Sequence, residues 1–314
     1  MEKVFVSEPI HQDAVQLLRT RFQVIQGSST DHLAQEAAGC AGMLVRVARV
    51  DAEVMDALPQ LRVIAKHGIG VDNIDVDAAT ARGIQVVNAP TANIHAVAEH
   101  TAALILALLK DVVVLDRATR SGEFSIRSKC LVRELRGKTV GLVGYGRIAR
   151  LVHQKLSGFD VRFIAYDPYM SQEQAETFGI QLLPLETLLR QADVVSLHTP
   201  LSADTYHLIN AETLACMKPE AVLINASRGG VVDSEALYQA LRFRKIAGAA
   251  LDVFEPEPPQ TDSPLWSLDN LIVTPHTAAL SDAAMRAMGM DSAQGIMDTL
   301  TGESPQYPVN HPAK

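Results

Sequence analysis

The chain has 314 residues, 47% of them hydrophobic and 20% charged, with a formal net charge of −8 at pH 7 and a pI near 5.7. This length predicts two domains, and the acidic balance argues against nucleic acid or an anionic membrane as a main partner. The longest apolar run, at residues 101–109, is far too short to span a bilayer, and the N-terminus lacks the pattern of a signal peptide. The three cysteines are widely spaced without a C-x-x-C pair, so we expect a reducing, cytoplasmic location and no cysteine-based metal site.

Short apolar runs alternate with helical segments through the first third of the chain. The predicted strands are residues 4–6, 24–25, 43–47, 63–64 and 85–87. The predicted helices are residues 12–21, 32–38, 52–57 and 76–82. Because this alternation is typical of βαβ units with a parallel sheet, residues 1 to about 95 are predicted to form one small α/β unit.

A long helix and a second run of alternating elements follow. One helix is predicted over residues 96–120, ended by Ser121-Gly122, and a loop of mixed charge spans residues 123–137. Further strands are predicted at residues 140–143, 163–166, 194–197, 221–225, 248–251 and 271–273. The helices between them are predicted at residues 171–178, 185–190, 211–217 and 234–242. This pattern predicts a doubly wound sheet of about six strands, with a ligand at the carboxyl ends of those strands.

Residues 281–300 carry a last long amphipathic pattern, which Gly302 stops before an irregular, proline-containing tail. This helix would return the chain to the N-terminal unit and make that domain discontinuous. The predicted fold class is therefore α/β, with two Rossmann-like or flavodoxin-like domains, parallel sheets, and a cleft between the domains as the natural site.

A glycine turn at the first strand of the second sheet carries a dinucleotide-binding pattern. Gly144 and Gly146 follow the apolar run, Arg147-Ile148 begin a helical segment, and Ala149 completes G-x-G-x-x-A. The helix N-terminus would hold a pyrophosphate, although such a pattern alone is weak. Asp167 ends the next predicted strand about 20 residues later, where a carboxylate binds the adenosine ribose hydroxyls. A carboxylate there repels a 2′-phosphate and no arginine adjoins it, so NAD is favoured over NADP.

Polar residues also follow four later strands of the second half. They are residues 198–200, 225–230, 252–258 and 274–277. Since the carboxyl ends of parallel strands meet at one edge of a sheet, we expect these residues to form one functional cluster.

Six stretches together identify a family resemblance over nearly the whole chain. They are residues 67–75, 97–100, 144–148, 225–229, 251–258 and 274–276. The chain resembles the D-isomer-specific 2-hydroxyacid dehydrogenases, most closely the phosphoglycerate dehydrogenase-like branch. The resemblance implies NAD as cofactor, a homodimer, a substrate domain of residues 1–96 with 285–314, and an NAD-binding domain of residues 97–284. The sequence has no counterpart of the serine-sensing C-terminal domain of longer phosphoglycerate dehydrogenases, so feedback of that kind is not expected.

The resemblance also implies roles for three catalytic residues. His276 would be the general acid/base, a task that suits histidine because its ordinary pKa lies near neutral pH. Glu257, rather than the nearby Glu255, would orient His276 and stabilise its protonated form. Arg228 would bind the substrate carboxylate and polarise the keto oxygen through its planar, two-pronged guanidinium. No metal is expected in this site.

Further residues are assigned to the cofactor or the substrate on the same basis. Asp252 would lie beside the nicotinamide. The remaining cofactor wall would comprise Thr199, Pro200, Thr205, Ala226 and Ser227, and the catalytic Arg228 and His276 would contact the cofactor as well. The turn of His67, Gly68, Ile69 and Gly70 would present backbone N–H groups to the substrate carboxylate, with a purely structural turn as the alternative. Arg46 and Lys66 fall where phosphoglycerate-type relatives carry basic residues, which suggests a phosphate or second carboxylate on the substrate.

The leading hypothesis is an NAD-dependent oxidoreductase that interconverts a D-2-hydroxy acid and its 2-keto acid. Candidate substrates are of the 3-phosphoglycerate, hydroxypyruvate or glyoxylate type. Formate or phosphite oxidation is a second enzymatic hypothesis. Formate-type relatives pair the histidine with glutamine, so Glu257 argues against formate oxidation. A non-catalytic NAD(H) sensor, as in the corepressor relatives, is an alternative of a different class, and those relatives retain the same three residues.

Overall fold

The computed structural model describes residues 1–27 and 32–312. The chain divides into two compact units: unit 1 comprises Met1–Ile94 with the residues from Ala279 onward, and unit 2 comprises His95–Ala278. In the part of the chain that is described, no helix has the length and apolar character needed to cross a membrane.

Twelve strands and twelve α-helices are found among the described residues. The strands are β1 Lys3–Val6, β2 Gln23–Gln26, β3 Gly42–Val45, β4 Val63–Lys66, β5 Gln85–Val87, β6 Thr139–Val143, β7 Arg162–Tyr166, β8 Gln181–Leu182, β9 Val194–Leu197, β10 Val222–Asn225, β11 Gly248–Leu251 and β12 Leu271–Val273. The helices are α1 Gln12–Arg19, α2 Leu33–Glu36, α3 Ala52–Asp56, α4 Val76–Ala81, α5 Ile94–Leu109, α6 Val112–Arg120, α7 Arg147–Leu156, α8 Gln172–Thr177, α9 Leu185–Gln191, α10 Ala211–Ala215, α11 Ser234–Arg242 and α12 Asp282–Thr301.

Unit 1 is built on a parallel five-stranded sheet of order β2-β1-β3-β4-β5, the flavodoxin-like order. Its central strands are apolar and buried on both faces, as parallel strands between helices must be. Val4 packs with α1 and α12 on one face, whereas Phe5 packs with α2 and α3 on the other. Gly295 lets α12 lie close to the sheet, since a Cβ there would be 2.8 Å from the Val87 side chain. The C-terminal helix is therefore part of this unit's core.

Unit 2 is built on a parallel seven-stranded sheet of order β12-β11-β10-β9-β6-β7-β8, which is doubly wound. The order reverses between the neighbouring strands β6 and β9, whose carboxyl ends define the topological switch point. Ligands of open α/β sheets bind at this point. The glycine turn after β6 and the Thr199-Pro200 segment after β9 are therefore placed side by side.

The predicted α/β class with two parallel-sheet domains is confirmed, but two predicted elements need correction. Residues 96–120 were expected to form one helix, yet the chain forms α5 and α6, separated at Asp111, whose φ of 49° is left-handed. The second sheet has seven strands where about six were predicted, because the two-residue strand β8 is too short to produce a hydrophobic pattern.

Candidate active site

The glycine turn after β6 has the shape that a bound pyrophosphate requires. Gly144 has a φ of 85°, and a Cβ on it would lie 2.8 Å from the His198 carbonyl oxygen, so both conformation and space demand glycine. Gly146 is the N-cap of α7 and supplies no side-chain cap, while a Cβ built there would meet no described atom within 4 Å. Exposed Arg147 and part-buried Ile148 begin the helix. The open N-terminus of α7 fits the phosphates of a dinucleotide.

Asp167 is fixed beside this turn at the end of β7. Its Oδ2 accepts a hydrogen bond from the Tyr145 backbone N–H at 2.9 Å, and its Oδ1 accepts one from the Tyr169 N–H at 2.9 Å. The carboxylate therefore has a defined orientation next to the glycine turn, as its predicted role toward a ribose requires.

The β9 loop supplies an independent sign of a ligand. The Thr199 side chain is buried, and its Oγ1 has no hydrogen-bond partner among the described residues. Its Cγ2 would be 3.1 Å from a Cβ on Gly144, so the hydroxyl lies close to the glycine turn. Because buried hydroxyls are nearly always hydrogen-bonded, this group fits a site for a polar ligand. Thr205 instead braces the loop, since its Oγ1 donates to the Pro200 carbonyl at 2.7 Å and accepts from the Ser202 N–H at 2.8 Å.

A buried asparagine shapes the loop after β10. The Asn225 Oδ1 accepts hydrogen bonds from the Ser227 N–H at 3.0 Å and the Ser227 hydroxyl at 2.8 Å. Its Nδ2 donates to the Arg228 carbonyl at 2.9 Å. Ala226, Ser227 and Arg228 are part-buried within the loop that results. The Arg228 Nη1 donates to the Ser227 carbonyl at 2.7 Å, which steadies the guanidinium.

The loops after β10 and β11 interlock at Gly229. A Cβ on Gly229 would lie 1.9 Å from the Phe254 carbonyl oxygen, so no larger residue fits without movement of one backbone. Phe254 in turn meets Trp266 edge-to-face, with ring centroids 5.8 Å apart, and the Trp266 indole N–H donates to the Gln260 carbonyl. These contacts fix the position of the loop after β10 against the loop after β11.

His276 and Glu257 form a direct pair. The His276 Nδ1 and the Glu257 Oε2 are 2.7 Å apart, and the Glu257 Oε1 accepts the Phe254 N–H at 2.8 Å. Burial acts to raise the pKa of Glu257, but hydrogen bonds from His276 and Phe254 and the charges of His276 and Arg228 outweigh it and lower that pKa. Glu257 is thus ionised at neutral pH. Because Nδ1 of His276 contacts Glu257, Nε2 is the ring nitrogen that can exchange a proton with a ligand.

His276 has a strained backbone. Its φ is 52°, a left-handed conformation that is uncommon for residues other than glycine. Its N–H donates to the Asp252 carbonyl at 2.8 Å and to the Thr274 carbonyl at 3.0 Å. Such strain persists where surrounding contacts over-determine the conformation, and it concentrates at functional sites.

Asp252 supplies those surrounding contacts. Its side chain is buried, with Oδ1 accepting from the Thr277 N–H at 2.8 Å and the Thr274 hydroxyl at 2.5 Å, and Oδ2 accepting from the Ala278 N–H at 2.9 Å. The His100 Nε2 lies 3.0 Å from the Thr274 Oγ1 and 3.6 Å from the Asp252 Oδ1. Both carboxylate oxygens are therefore engaged by the loop that carries His276. The sequence assigned Asp252 to the cofactor and gave His100 no role.

In unit 1, Lys66 is committed to internal contacts. Its Nζ donates to the Arg46 carbonyl and, at 2.6 Å, to the Asn73 Oδ1, while the Asn73 Nδ2 donates to the Ala48 carbonyl at 2.6 Å. Lys66 thereby joins the loops after β3 and β4. The substrate-binding role predicted for Lys66 stays a prediction.

His67 contributes no positive charge at neutral pH. It is buried, and burial, followed by the charge of Arg46, lowers its pKa to about 4. Its Nε2 lies 3.3 Å from the Met285 carbonyl oxygen. Arg46, which follows β3, is part-buried, and its charge acts on the buried His67 ring.

The turn after His67 has a fixed shape. Gly68 has a φ of 141°, and its carbonyl accepts the Ala89 N–H at 2.9 Å. The Ile69 carbonyl accepts the Asn88 Nδ2 at 2.7 Å, and Gly70 follows part-buried. The turn is placed at the carboxyl edge of the five-stranded sheet, where its N–H groups were predicted to act.

One buried histidine, His67, and one part-buried histidine, His198, predict acid sensitivity. Burial lowers the pKa of His198 to about 4, and that of His67 also lies near 4, against an ordinary value of 6.5. Below pH 6.5 the unfolded chain binds protons that the folded chain does not. Each histidine therefore removes stability as the pH falls from 6.5 to 4, by about 1.4 kcal/mol per pH unit. We expect the urea midpoint of unfolding to fall between pH 7.5 and 5, and to fall less in His198→Gln. Equal pH dependence of both proteins would contradict this assignment.

The comparisons with known proteins agree with this geometry. Residues 102–278 match the sequence model described as "D-isomer specific 2-hydroxyacid dehydrogenase, NAD binding domain". A D-3-phosphoglycerate dehydrogenase of Archaeoglobus fulgidus is 41% identical over 99% of this chain and 60% of its own length. A glyoxylate reductase of Korarchaeum cryptofilum is 42% identical over 83% of this chain and 80% of its own. The crystal structure of the Thermus thermophilus protein TT0316 has a TM-score of 0.91 and 36% identity, covering 98% of this chain and 100% of its own.

The fold of unit 2 and its glycine turn define a protein that binds a nicotinamide dinucleotide. The chain belongs to the D-isomer specific 2-hydroxyacid dehydrogenase family, which confirms the resemblance found in the sequence. It spans about 60% of the length of the phosphoglycerate dehydrogenases that it matches.

Proposed function

We propose that the protein is an NAD-dependent oxidoreductase that interconverts a D-2-hydroxy acid and its 2-keto acid. The observation that carries this proposal is the pair of His276 Nδ1 and Glu257 Oε2 at 2.7 Å, on strand ends of a dinucleotide-binding sheet. Arg228 supports this proposal, because its positive charge helps to lower the pKa of Glu257 and its guanidinium is suited to binding a substrate carboxylate.

Each residue of the proposed site has a distinct task. The bound nicotinamide supplies or accepts the hydride. His276 donates a proton from Nε2 to the keto oxygen during reduction and removes it from the hydroxyl during oxidation. Glu257 holds the ring through Nδ1 and stabilises its protonated form. Arg228 holds the carboxylate of the acid and draws charge from the keto oxygen.

NAD rather than NADP is the proposed cofactor because of Asp167. Asp167→Asn keeps a carbonyl acceptor for the Tyr145 N–H but removes the charge that repels a 2′-phosphate. We expect the ratio of kcat/KM for NADH to that for NADPH to fall about 10-fold or more, since hydrogen bonds to charged groups contribute about 1.5–3 kcal/mol. Steady-state kinetics with both cofactors measure this ratio. Asp160→Asn, which changes an exposed carboxylate on the same unit, is the matched control. Unchanged cofactor preference in Asp167→Asn would remove this role.

The proposed substrates are 2-keto acids of the hydroxypyruvate, glyoxylate or 3-phosphohydroxypyruvate type. Relatives named D-3-phosphoglycerate dehydrogenase and glyoxylate reductase support this range. Arg46 is proposed to bind a second anionic group where the substrate has one. NADH oxidation by the purified protein with a panel of these acids is the decisive experiment. Tight NADH binding without turnover of any acid would instead favour the NAD(H)-sensing alternative.

We also propose that the protein is a homodimer in the cytoplasm. Apolar side chains are exposed along one segment of unit 2, and large exposed apolar patches mark interaction surfaces. They are Val112, Val113, Val114, Phe124, Leu131 and Val132. Sedimentation equilibrium distinguishes a dimer from a monomer. The cytoplasmic location is supported by Cys40, Cys130 and Cys216, which are free thiols, as is usual in a reducing compartment.

A further inference from the structure

Glu8 and Arg46 meet at the switch point of unit 1. Glu8 follows β1 and Arg46 follows β3, and these strands are neighbours where the order β2-β1-β3-β4-β5 reverses. Open α/β sheets bind ligands outside the carboxyl ends of such strands. No role for Glu8 was predicted from the sequence.

The carboxylate of Glu8 occupies a backbone anion site. Its Oε2 accepts the Arg46 N–H at 2.9 Å, and its Oε1 accepts the Val47 N–H at 2.7 Å and the Ala48 N–H at 2.8 Å. Successive backbone N–H groups that converge in this way form a nest for an anion. Because the chain's own carboxylate fills the nest, these N–H groups are not available to a substrate anion, and the anion needs a cationic side chain, the role proposed for Arg46.

Arg46 is held at its backbone and at its side chain. Glu8 accepts its N–H, Lys66 donates to its carbonyl oxygen, and the Pro9 carbonyl accepts from its Nη1 at 3.0 Å. Two of these three contacts come from the adjacent residues Glu8 and Pro9. A side chain held before binding loses less conformational freedom when it meets a ligand, so this arrangement favours affinity.

Glu8 is charged in the folded protein. Burial acts to raise its pKa, but hydrogen bonds from Ser7 and from the N–H groups of Arg46, Val47 and Ala48 lower it overall. A carboxylate that accepts several backbone N–H groups is favoured in its ionised form. The charge therefore contributes to holding the loop at neutral pH.

We propose that Glu8 is a positioning residue that fixes Arg46 for the second anionic group of the substrate. The inference rests on the proposed function, in which Arg46 binds that group. Glu8 itself does not touch the substrate. It acts by holding the backbone of residues 46–48 and, through the adjoining Pro9 carbonyl, the guanidinium.

The test compares two kinds of keto acid in Glu8→Gln. The amide has nearly the same size but places an NH₂ group among three N–H donors, so the loop loses part of its anchor. We expect the KM for 3-phosphohydroxypyruvate to rise about 10-fold, with a change below about 2-fold for glyoxylate and for NADH. Asp56→Asn is the matched control, because it neutralises another unit 1 carboxylate that is hydrogen-bonded to an arginine, Arg82.

A double-mutant cycle with Arg46→Met separates positioning from general destabilisation. If Glu8 acts through Arg46, Glu8→Gln adds no further rise in the KM for 3-phosphohydroxypyruvate once Arg46 is replaced. The proposal would be overturned if Glu8→Gln raised the KM for both keto acids equally. It would also be overturned if Glu8→Gln raised the KM for 3-phosphohydroxypyruvate by the same factor in the wild-type protein and in Arg46→Met. Should Glu8→Gln fail to fold, Glu8→Asp, which keeps the charge at a shorter reach, enters the same cycle with the same criteria.

Calorimetric titration distinguishes failure of this inference from failure of the proposed function. If the wild-type protein reduces no keto acid, the proposed function fails. Binding of 3-phosphohydroxypyruvate to the NADH-bound protein then tests Glu8 directly. Binding that weakens about 10-fold in Glu8→Gln supports the positioning role. Equal binding by both proteins, or no binding by the wild type, overturns it.

Discussion

Replacing His276 with alanine is expected to lower kcat by about 10²–10⁴-fold, because general acid–base catalysis contributes about that much. The affinity for NADH should change little, since the glycine turn and Asp167 lie on other strand ends of unit 2. Single-turnover reduction of the best keto acid, with NADH binding followed by fluorescence, measures the two effects separately.

His207 provides a matched control for this substitution. It also has a left-handed backbone, with a φ of 49°, and its Nε2 lies 3.3 Å from the Glu255 Oε2. It differs from His276 in having no place in the proposed site. His207→Ala should therefore retain turnover. If both variants lost activity equally, or if His276→Ala kept its turnover, the general acid/base assignment would be wrong.

Replacing Asp252 with alanine is expected to reduce both stability and turnover. The change leaves the Thr277 N–H, the Ala278 N–H and the Thr274 hydroxyl without their buried acceptor. Unsatisfied buried donors cost about 1–3 kcal/mol each, so the free energy of unfolding should fall by about 3 kcal/mol or more. The loop would also release the strained conformation of His276, so kcat should fall as well. Urea denaturation and steady-state kinetics below the unfolding transition measure the two losses.

Asp193→Asn controls for the loss of stability alone. The Asp193 carboxylate accepts the Thr139 N–H at 2.8 Å and the Lys218 Nζ at 3.0 Å, at the beginning of β6 rather than at the functional edge of the sheet. This variant should be destabilised but keep its kcat. A kcat that is unchanged in Asp252→Ala would show that His276 keeps its orientation without the carboxylate.

The sequence predicted the strands well because buried parallel strands are short apolar runs between helices. The break between α5 and α6 was not predictable, since the apolar spacing continues from Leu109 to Val112 across it. A single left-handed residue, Asp111, redirects the helix without changing that spacing. Asp tolerates this conformation, but its presence alone does not specify it.

The candidate site was predictable in its residue types but not in its supporting contacts. Parallel topology brings Glu257 and His276 to one edge of the sheet, so a pattern of polar strand ends indicated their proximity. The partners of Asp252, Lys66 and Glu8 lie in other segments of the chain, and no local pattern specifies them. Such contacts depend on side-chain orientation in the folded units, which spacing along the chain does not encode.

The contact between Phe254 and Trp266 gives the protein a built-in optical reporter. Trp266 is the chain's single tryptophan, so intrinsic indole fluorescence has one source. Its ring meets Phe254, and the Phe254 N–H holds the Glu257 carboxylate. A rearrangement of this loop during ligand binding would therefore change the emission directly. Stopped-flow fluorescence can time such a step without any added label.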